Sequence, residues 1–233
     1  MPLLNLSDLK IVIFDWDNTL AQSRPALLFS INLVLAEYGL PGFDFFASKR
    51  DPELSFKQNF PLMFGPKAQE IYDRYREIYK ANVKELISAF PGTHNVLEFF
   101  HRRGIKLMIM TNKERCLLEY ELPLLYDASL FEKIVCGQEA PRDKPFGDQA
   151  LYALEGYLQP EEITADKVWI IGDSTQDSDC ALAVGALPIR IGQPIWGNDS
   201  PHRTDIHYFS DFVSFFDCLG KSAGAATQNF SSH

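Results

Sequence analysis

The sequence predicts an α/β fold, with a parallel sheet core covered by helices and a small α-helical cap inserted after the first strand. Three observations predict it. The short apolar run Ile11-Val12-Ile13-Phe14 ends abruptly in Asp15-Trp16-Asp17-Asn18, as a buried parallel strand does. From Pro91-Gly92 onward, short apolar stretches alternate with helical patterns, the rhythm of a sheet covered on both faces. Between these parts, residues 22–88 carry helical patterns and no convincing strand. The expected division is a core of residues 1–21 and 89–219, a cap of residues 22–88, and a disordered tail of small and polar residues over 220–233.

Each element has a local reason. Residues 26–38 have the length and apolar content of a buried helix, stopped by Gly39 and Pro41. Residues 69–86 space Ile71, Tyr75, Ile78, Tyr79 and Val83 close to the helical period, with a charged face between them. Pro91-Gly92 marks a boundary. Beyond it the pattern predicts helices over 96–103, 115–125, 146–158, 177–184 and 209–219. The strands between them fall at 106–110, 133–136, 167–171 and 188–191. Pro145 suits the first position of the 146–158 helix, and Pro123 comes late enough to end the 115–125 helix.

Composition sets ordinary bounds. A chain of 233 residues, 46% hydrophobic and 23% charged, has room for one sizeable core with an insertion. A formal charge of −9 argues against sequence-independent nucleic-acid binding, so any phosphate site must be locally basic within an acidic protein. No apolar run approaches a membrane span, and no basic-then-apolar leader is visible. Cys116, Cys136, Cys180 and Cys218 are dispersed and read as reduced thiols. The expectation is a cytoplasmic protein, for which monomer and homodimer are equally compatible.

Four strand ends carry polar residues of interest. At the first, Asp15 and Asp17 are two apart and would project to one side of a strand. Such close carboxylates repel, so they are either a site for a cation, with Mg²⁺ favoured by hard oxygen ligands, or two solvated turn-forming aspartates. At the second, Thr111-Asn112-Lys113 offers a hydroxyl and successive backbone N–H groups, either an anion site or a helix cap. The third element is the loop Arg142-Asp143-Lys144-Pro145. The fourth strand opens into Gly172-Asp173-Ser174-Thr175-Gln176-Asp177, where both aspartates could instead cap a helix.

In order and placement, Asp-x-Asp-x-Thr, a strand-end Thr, Lys-Pro and Gly-Asp-x-x-x-Asp resemble the four motifs of the haloacid dehalogenase superfamily, over residues 10–192. Ala181 and Gly185 extend the likeness at the fourth motif. The resemblance implies a Rossmann-like core and a set of roles. Asp15 would be the nucleophile and form an aspartyl-phosphate. Asp17 would protonate the leaving group and later deprotonate water. Mg²⁺ would be held by Asp15, the backbone carbonyl of Asp17, Asp173 and Asp177, the last directly or by supporting another ligand. Thr111, the Asn112 backbone and Lys144 would bind the phosphoryl oxygens.

The superfamily's dehalogenases lack the second carboxylate, and its sugar-phosphate mutases typically continue with Gly-Val, where this chain has Asn18-Thr19. The sequence is thus most similar to the superfamily's phosphoglycolate phosphatases and their small-molecule relatives. That implies a Mg²⁺-dependent hydrolase of a small phosphorylated metabolite. The alternatives are a catalytically quiet binding protein of the same fold, or a mutase or phosphotransferase. Gln22-Ser23 stands where relatives often carry an acid. In the cap, Arg50, Lys57, Gln58, Lys67 and Arg74 are either substrate contacts or solvated residues, and Arg24 lies where the chain passes near the mouth. Phe43, Phe45, Phe46, Phe56, Phe60 and Phe64 read as the cap's own core, the alternative being a flat apolar wall for the substrate.

Overall fold

The computed structural model describes residues 4–44, 51, 54–193 and 203–230. Among them, six strands form one sheet: β1 (Ile11–Phe14), β2 (Lys106–Met110), β3 (Phe131–Val135), β4 (Val168–Gly172), β5 (Leu187–Ile191) and β6 (His207–Phe209). Their order is β3-β2-β1-β4-β5-β6, and every pairing is parallel. The chain moves outward from β1 to one side through β2 and β3, then crosses to β4 on the other. The carboxyl end of β1 is therefore the point where the winding reverses, the place at which open α/β sheets bind ligands.

Strand periodicity sorts the core into two layers. Val12 and Phe14, Leu107 and Ile109, and Trp169 and Ile171 face one side. Ile11 and Ile13, Met108 and Met110, and Val168 and Ile170 face the other. The first layer is covered by α4 (Thr93–His101), α5 (Arg115–Leu125) and α8 (Phe212–Phe230), the second by α6 (Asp148–Leu154) and α7 (Thr175–Val184). The expectation of a doubly covered parallel sheet is met.

The insertion after β1 holds α1 (Arg24–Glu37), α2 (Phe56–Phe64) and α3 (Ala68–Leu86). The chain leaves the sheet and returns to it side by side: Ala21 bridges Ala89, and Gln22 N donates to Ser88 O at 2.8 Å. Phe60 is buried among Phe56, Phe64, Tyr72 and Tyr75, with ring centroids 4.7–5.9 Å away. Phe45, Phe46 and Arg50 lie outside the described residues.

Several element boundaries move by two or three residues, and three differences from expectation are larger. The helix predicted over 146–158 is α6, confined to Asp148–Leu154. Pro145 lies before it in a turn, after a cis Lys144–Pro145 peptide, and Gly156 follows it at φ +88°. The three-residue edge strand β6 takes Phe209, which the sequence assigned to a helix. Residues 220–230 continue α8 where a disordered tail was expected. Ser222 is buried there, and its hydroxyl accepts from Leu4 N at 3.1 Å. That contact between distant parts of the chain is invisible to local composition. No helix among the described residues is long and apolar enough to cross a membrane, and all four cysteines are free thiols.

Candidate active site

β1 ends at Phe14 because the next residue turns its polar side chain into the reversal point. Asp15 N still donates to Ile171 O at 2.8 Å, so its backbone stays fixed to the sheet. Its carboxylate is buried; Oδ1 accepts from Lys144 Nζ at 2.6 Å, and Oδ2 from the Thr19 hydroxyl at 3.2 Å. Lys144 is also buried, and its ammonium reaches Asp177 Oδ1 at 2.5 Å and the Met110 carbonyl at 3.1 Å.

Burial pushes the Asp15 carboxyl up to about 7, against the pull of Lys144 and with the help of Asp177. Burial alone would lower the Lys144 ammonium, but Asp15 and Asp177 hold it above its ordinary value.

Asp177 divides its two oxygens. Oδ2 accepts from Ser174 N at 3.1 Å and from Ser174 Oγ at 2.6 Å, closing the capping box that starts α7, while Oδ1 faces Lys144. Gly172 makes this possible: a Cβ there would stand 2.1–2.4 Å from Asp177 side-chain atoms. Asp173 is buried at the end of β4 and accepts from Asn18 Nδ2 at 2.7 Å. Ligand atoms of Asp15, Asp173 and Asp177 all lie within 4.8 Å of one another.

The loop after β2 supplies the opposite wall. Thr111 is buried, its N–H donates to Val135 O at 3.0 Å, and its Oγ1 accepts from Lys113 N at 3.2 Å. Asn112 ties the Lys144 loop in place by two bonds: its Nδ2 donates to Lys144 O at 2.9 Å, and its Oδ1 accepts from Lys144 N at 3.1 Å. Neither Thr111 nor Asn112 caps α5; Glu114 occupies that position.

Asp17 departs from the simple strand picture. It follows the strand in a turn that Asn18 continues at φ +60°, and its carboxylate stands apart from the Asp15–Asp173–Asp177 group. The two carboxylates bond different ammonium groups. Asp15 meets Lys144, whereas Asp17 Oδ1 accepts from Lys113 Nζ at 2.6 Å and from Ser23 Oγ at 2.5 Å. The physical reason is the turn, which ends the two-residue alternation at Asp15.

Lys113 was not singled out from sequence, nor was its partner Glu121. Lys113 Nζ also donates to Glu121 Oε1 at 2.7 Å and Oε2 at 2.8 Å, and Trp16 Nε1 donates to Glu121 Oε2 at 2.6 Å. A signal existed: Glu121 lies on the apolar stripe of α5 with Leu117, Leu118 and Leu122. A carboxylate buried there needs a cation.

One cavity of about 100 Å³ gathers Asp15, Asp17, Thr111, Asn112, Lys144, Asp173 and Asp177. Its roof comes from the insertion, including Phe56, Lys57, Tyr72, Tyr75 and Tyr79. Of the polar and charged cap residues singled out in the sequence, Lys57 reaches this cavity, where it donates to Glu114 Oε1 at 2.5 Å, and Phe56, read as cap core, lines it too. Gln58 instead closes the capping box of α2, and Arg74 pairs with Glu37 and Glu77 on the surface. Lys67 lies over the Tyr38 ring, and Arg24 lines a separate groove with Phe90 and Pro91.

Comparison with known proteins agrees with this geometry. A model of the haloacid dehalogenase-like hydrolase family matches residues 12–190. The chain is 30% identical over 182 residues to a phosphoglycolate phosphatase of Cereibacter sphaeroides, an alignment covering 75% of this chain and 81% of that one. Among solved structures, a predicted phosphoglycolate phosphatase of Haemophilus somnus superposes with a TM-score of 0.75 at 21% identity, covering 91% of this chain and 98% of that one. CbbY of Rhodobacter sphaeroides, in complex with phosphate, gives 0.74 at 18% identity, with 91% and 99% covered. The motif order, the doubly covered sheet and these likenesses agree: the chain belongs to the haloacid dehalogenase-like hydrolase family and is similar within it to phosphoglycolate phosphatases.

Proposed function

We propose that the protein is a Mg²⁺-dependent phosphatase of small phosphomonoesters, phosphoglycolate-like or another phosphorylated metabolite, acting through an aspartyl-phosphate on Asp15. One observation carries this reading above the others. A single cavity holds a carboxylate fixed by Lys144 and a second carboxylate fixed by Lys113 and Ser23. A binding protein needs the first for charge balance and has no use for the second.

The residues fit a divalent cation. Three buried carboxylates, Asp15, Asp173 and Asp177, converge on one small space with Lys144 as the ammonium bonded to two of them. Their hard oxygens suit Mg²⁺, with the Asp17 backbone carbonyl as the further donor the family resemblance implies. When bound, the ion offsets the negative charge of the carboxylates and of an incoming phosphate.

The chain's own groups then divide the work. Thr111, the Asn112 backbone N–H and Lys144 bind the phosphoryl oxygens and neutralise charge that spreads over them in the transition state. An Asp15 oxygen forms the new bond to phosphorus as the bond to the leaving-group oxygen breaks, and Asp17 gives that oxygen a proton. In the second step Asp17 takes a proton from water as the water oxygen attacks phosphorus, which frees phosphate and restores Asp15. The roof of α2 and α3 acts as a cap that excludes bulk water, and a cavity of about 100 Å³ suits a small ester rather than a folded phosphoprotein.

The test is phosphate release from a panel of phosphorylated metabolites with Mg²⁺. Turnover by the wild type that is lost in Asp15→Asn is the expected result. No turnover across the panel would favour the binding protein, and product isomerisation without phosphate release would favour the mutase.

A further inference from the structure

A closed ring of hydrogen bonds leaves the first motif at Trp16 and returns to it at Asp17. Trp16 Nε1 donates to Glu121 Oε2, Glu121 accepts from Lys113 Nζ through both oxygens, and Lys113 Nζ donates to Asp17 Oδ1. Trp16 and Glu121 are fully buried, and the Lys113 side chain is 8% exposed. The Tyr79 hydroxyl of α3 lies 3.3 Å from the same ammonium, so the roof closes the ring from above. Burial alone would lower the Lys113 ammonium, but Asp17 and Glu121 hold it above its ordinary value. Burial raises the Glu121 carboxyl, against the pull of Lys113.

The chemistry of the donors decides what this ring does to Asp17. Both of its bonds from Ser23 and Lys113 fall on Oδ1. A serine hydroxyl can donate or accept, so Ser23 by itself tolerates a proton on that oxygen. An ammonium has three donors and no acceptor, and here its N–H groups point to Asp17, Glu121 and Tyr79. With Lys113 in place, a proton on Oδ1 would face an N–H that cannot accept it.

We infer that Lys113, anchored by Glu121 and Trp16, is a positioning residue that confines the transferable proton of Asp17 to Oδ2 and turns that oxygen toward the substrate. The inference rests on the phosphatase reading and deepens it. In the first half-reaction the Oδ2–H bond breaks and the proton passes to the leaving-group oxygen as its bond to phosphorus breaks. In the second half-reaction Oδ2 takes a proton from the attacking water. Lys113 itself gives up no proton in either step.

The leaving group provides a readout that a merely structural role would not move. Nitrophenolate departs without a proton, whereas an alkoxide needs one. We would measure kcat/KM with Mg²⁺ for the wild type, Lys113→Met and Glu121→Gln on a series from 4-nitrophenyl phosphate through 4-methoxyphenyl phosphate to an alkyl phosphate. The expected loss in Lys113→Met is within about tenfold for the nitrophenyl ester and about 100-fold or more for the alkyl ester, the range that general acid catalysis supplies. Glu121→Gln should steepen the dependence in the same direction, and Lys113→Arg, which keeps only donors, should restore the wild-type slope. If Lys113→Met does not accumulate as folded protein, Glu121→Gln carries the comparison. An equal loss on every ester, or no loss, overturns the positioning role while leaving the phosphatase reading intact. A wild type inactive on the whole series removes both.

Discussion

Lys144 Nζ lies 2.6 Å from Asp15 Oδ1, with neither side chain more than a tenth exposed. The same ammonium meets Asp177 at 2.5 Å, so one buried positive charge serves two buried negative ones. Such an arrangement leaves an excess negative charge at the carboxyl end of β1. It is tolerable in the free protein because burial raises Asp15 toward its protonated form, and it becomes favourable when a cation or a phosphate neutralised by one enters.

The first prediction concerns stability against pH in metal-free protein. Asp15 titrates at 3.8 when unfolded and at about 7 when folded, so the folded chain holds its proton more tightly across that window. The contribution of this group is fully present below 3.8 and is lost as pH rises through about 7. Asp15→Asn should abolish turnover but remove this pH-dependent loss. Its melting temperature relative to wild type should therefore rise between about pH 4 and pH 8, measured by circular dichroism in chelator.

Removing the shared ammonium should act in the opposite sense. Lys144→Met leaves Asp15 and Asp177 without their partner in a dry space. Breaking a buried pair in this way costs about 3–5 kcal/mol, to be read from urea unfolding. Phosphatase activity should fall by at least about 100-fold with it.

Magnesium should stabilise the folded chain by linkage. At 100 times its dissociation constant, a ligand bound only by the folded form adds about 2.7 kcal/mol. The gain should largely vanish in Asp173→Asn, which removes one of the three converging carboxylates. A thermal shift titration with Mg²⁺ measures both, without need of a substrate.

Glu114 joins the loop after β2 to the roof. It accepts from Lys57 at 2.5 Å and from the Tyr72 hydroxyl at 2.6 Å, and Arg76 stands 3.9 Å away. Glu114→Ala should speed amide hydrogen exchange in α2 and α3 while leaving β1 and β4 protected, and should raise KM more than it lowers kcat. Unchanged exchange in both helices would mean that packing alone holds the roof.

The parts that sequence conveyed best are those set by short-range rules. Asp15, Thr111, Lys144 and Asp173 stand at strand ends or in loops, and Asp177 in the first turn of α7, where an apolar run has stopped and a new element begins, and the structure gathers all five in one cavity. The α3 helix was evident from its period, and β2 from its apolar run. The edge strand β6 is three residues long, too short to show alternation. The continuation of α8 past Leu219 rests on Ser222 meeting Leu4, residues 218 apart in sequence. The partner of Asp17 was hidden for the same reason: Lys113 lies 96 residues away, and only the folded turn at Asn18 brings it near. Glu121 on an apolar helix face was the one local trace of that ring.

The central claim is covalent catalysis by Asp15, and oxygen exchange from inorganic phosphate tests it without knowledge of the natural substrate. If an Asp15 oxygen can attack phosphate and expel water, the reverse reaction returns unlabelled solvent oxygen to the phosphate. With Mg²⁺ and phosphate fully labelled with ¹⁸O, the wild type should release label into water steadily, as followed by mass spectrometry, and Asp15→Asn should not exceed the enzyme-free control. Full retention of label by a wild-type preparation that hydrolyses phosphomonoesters would contradict the account.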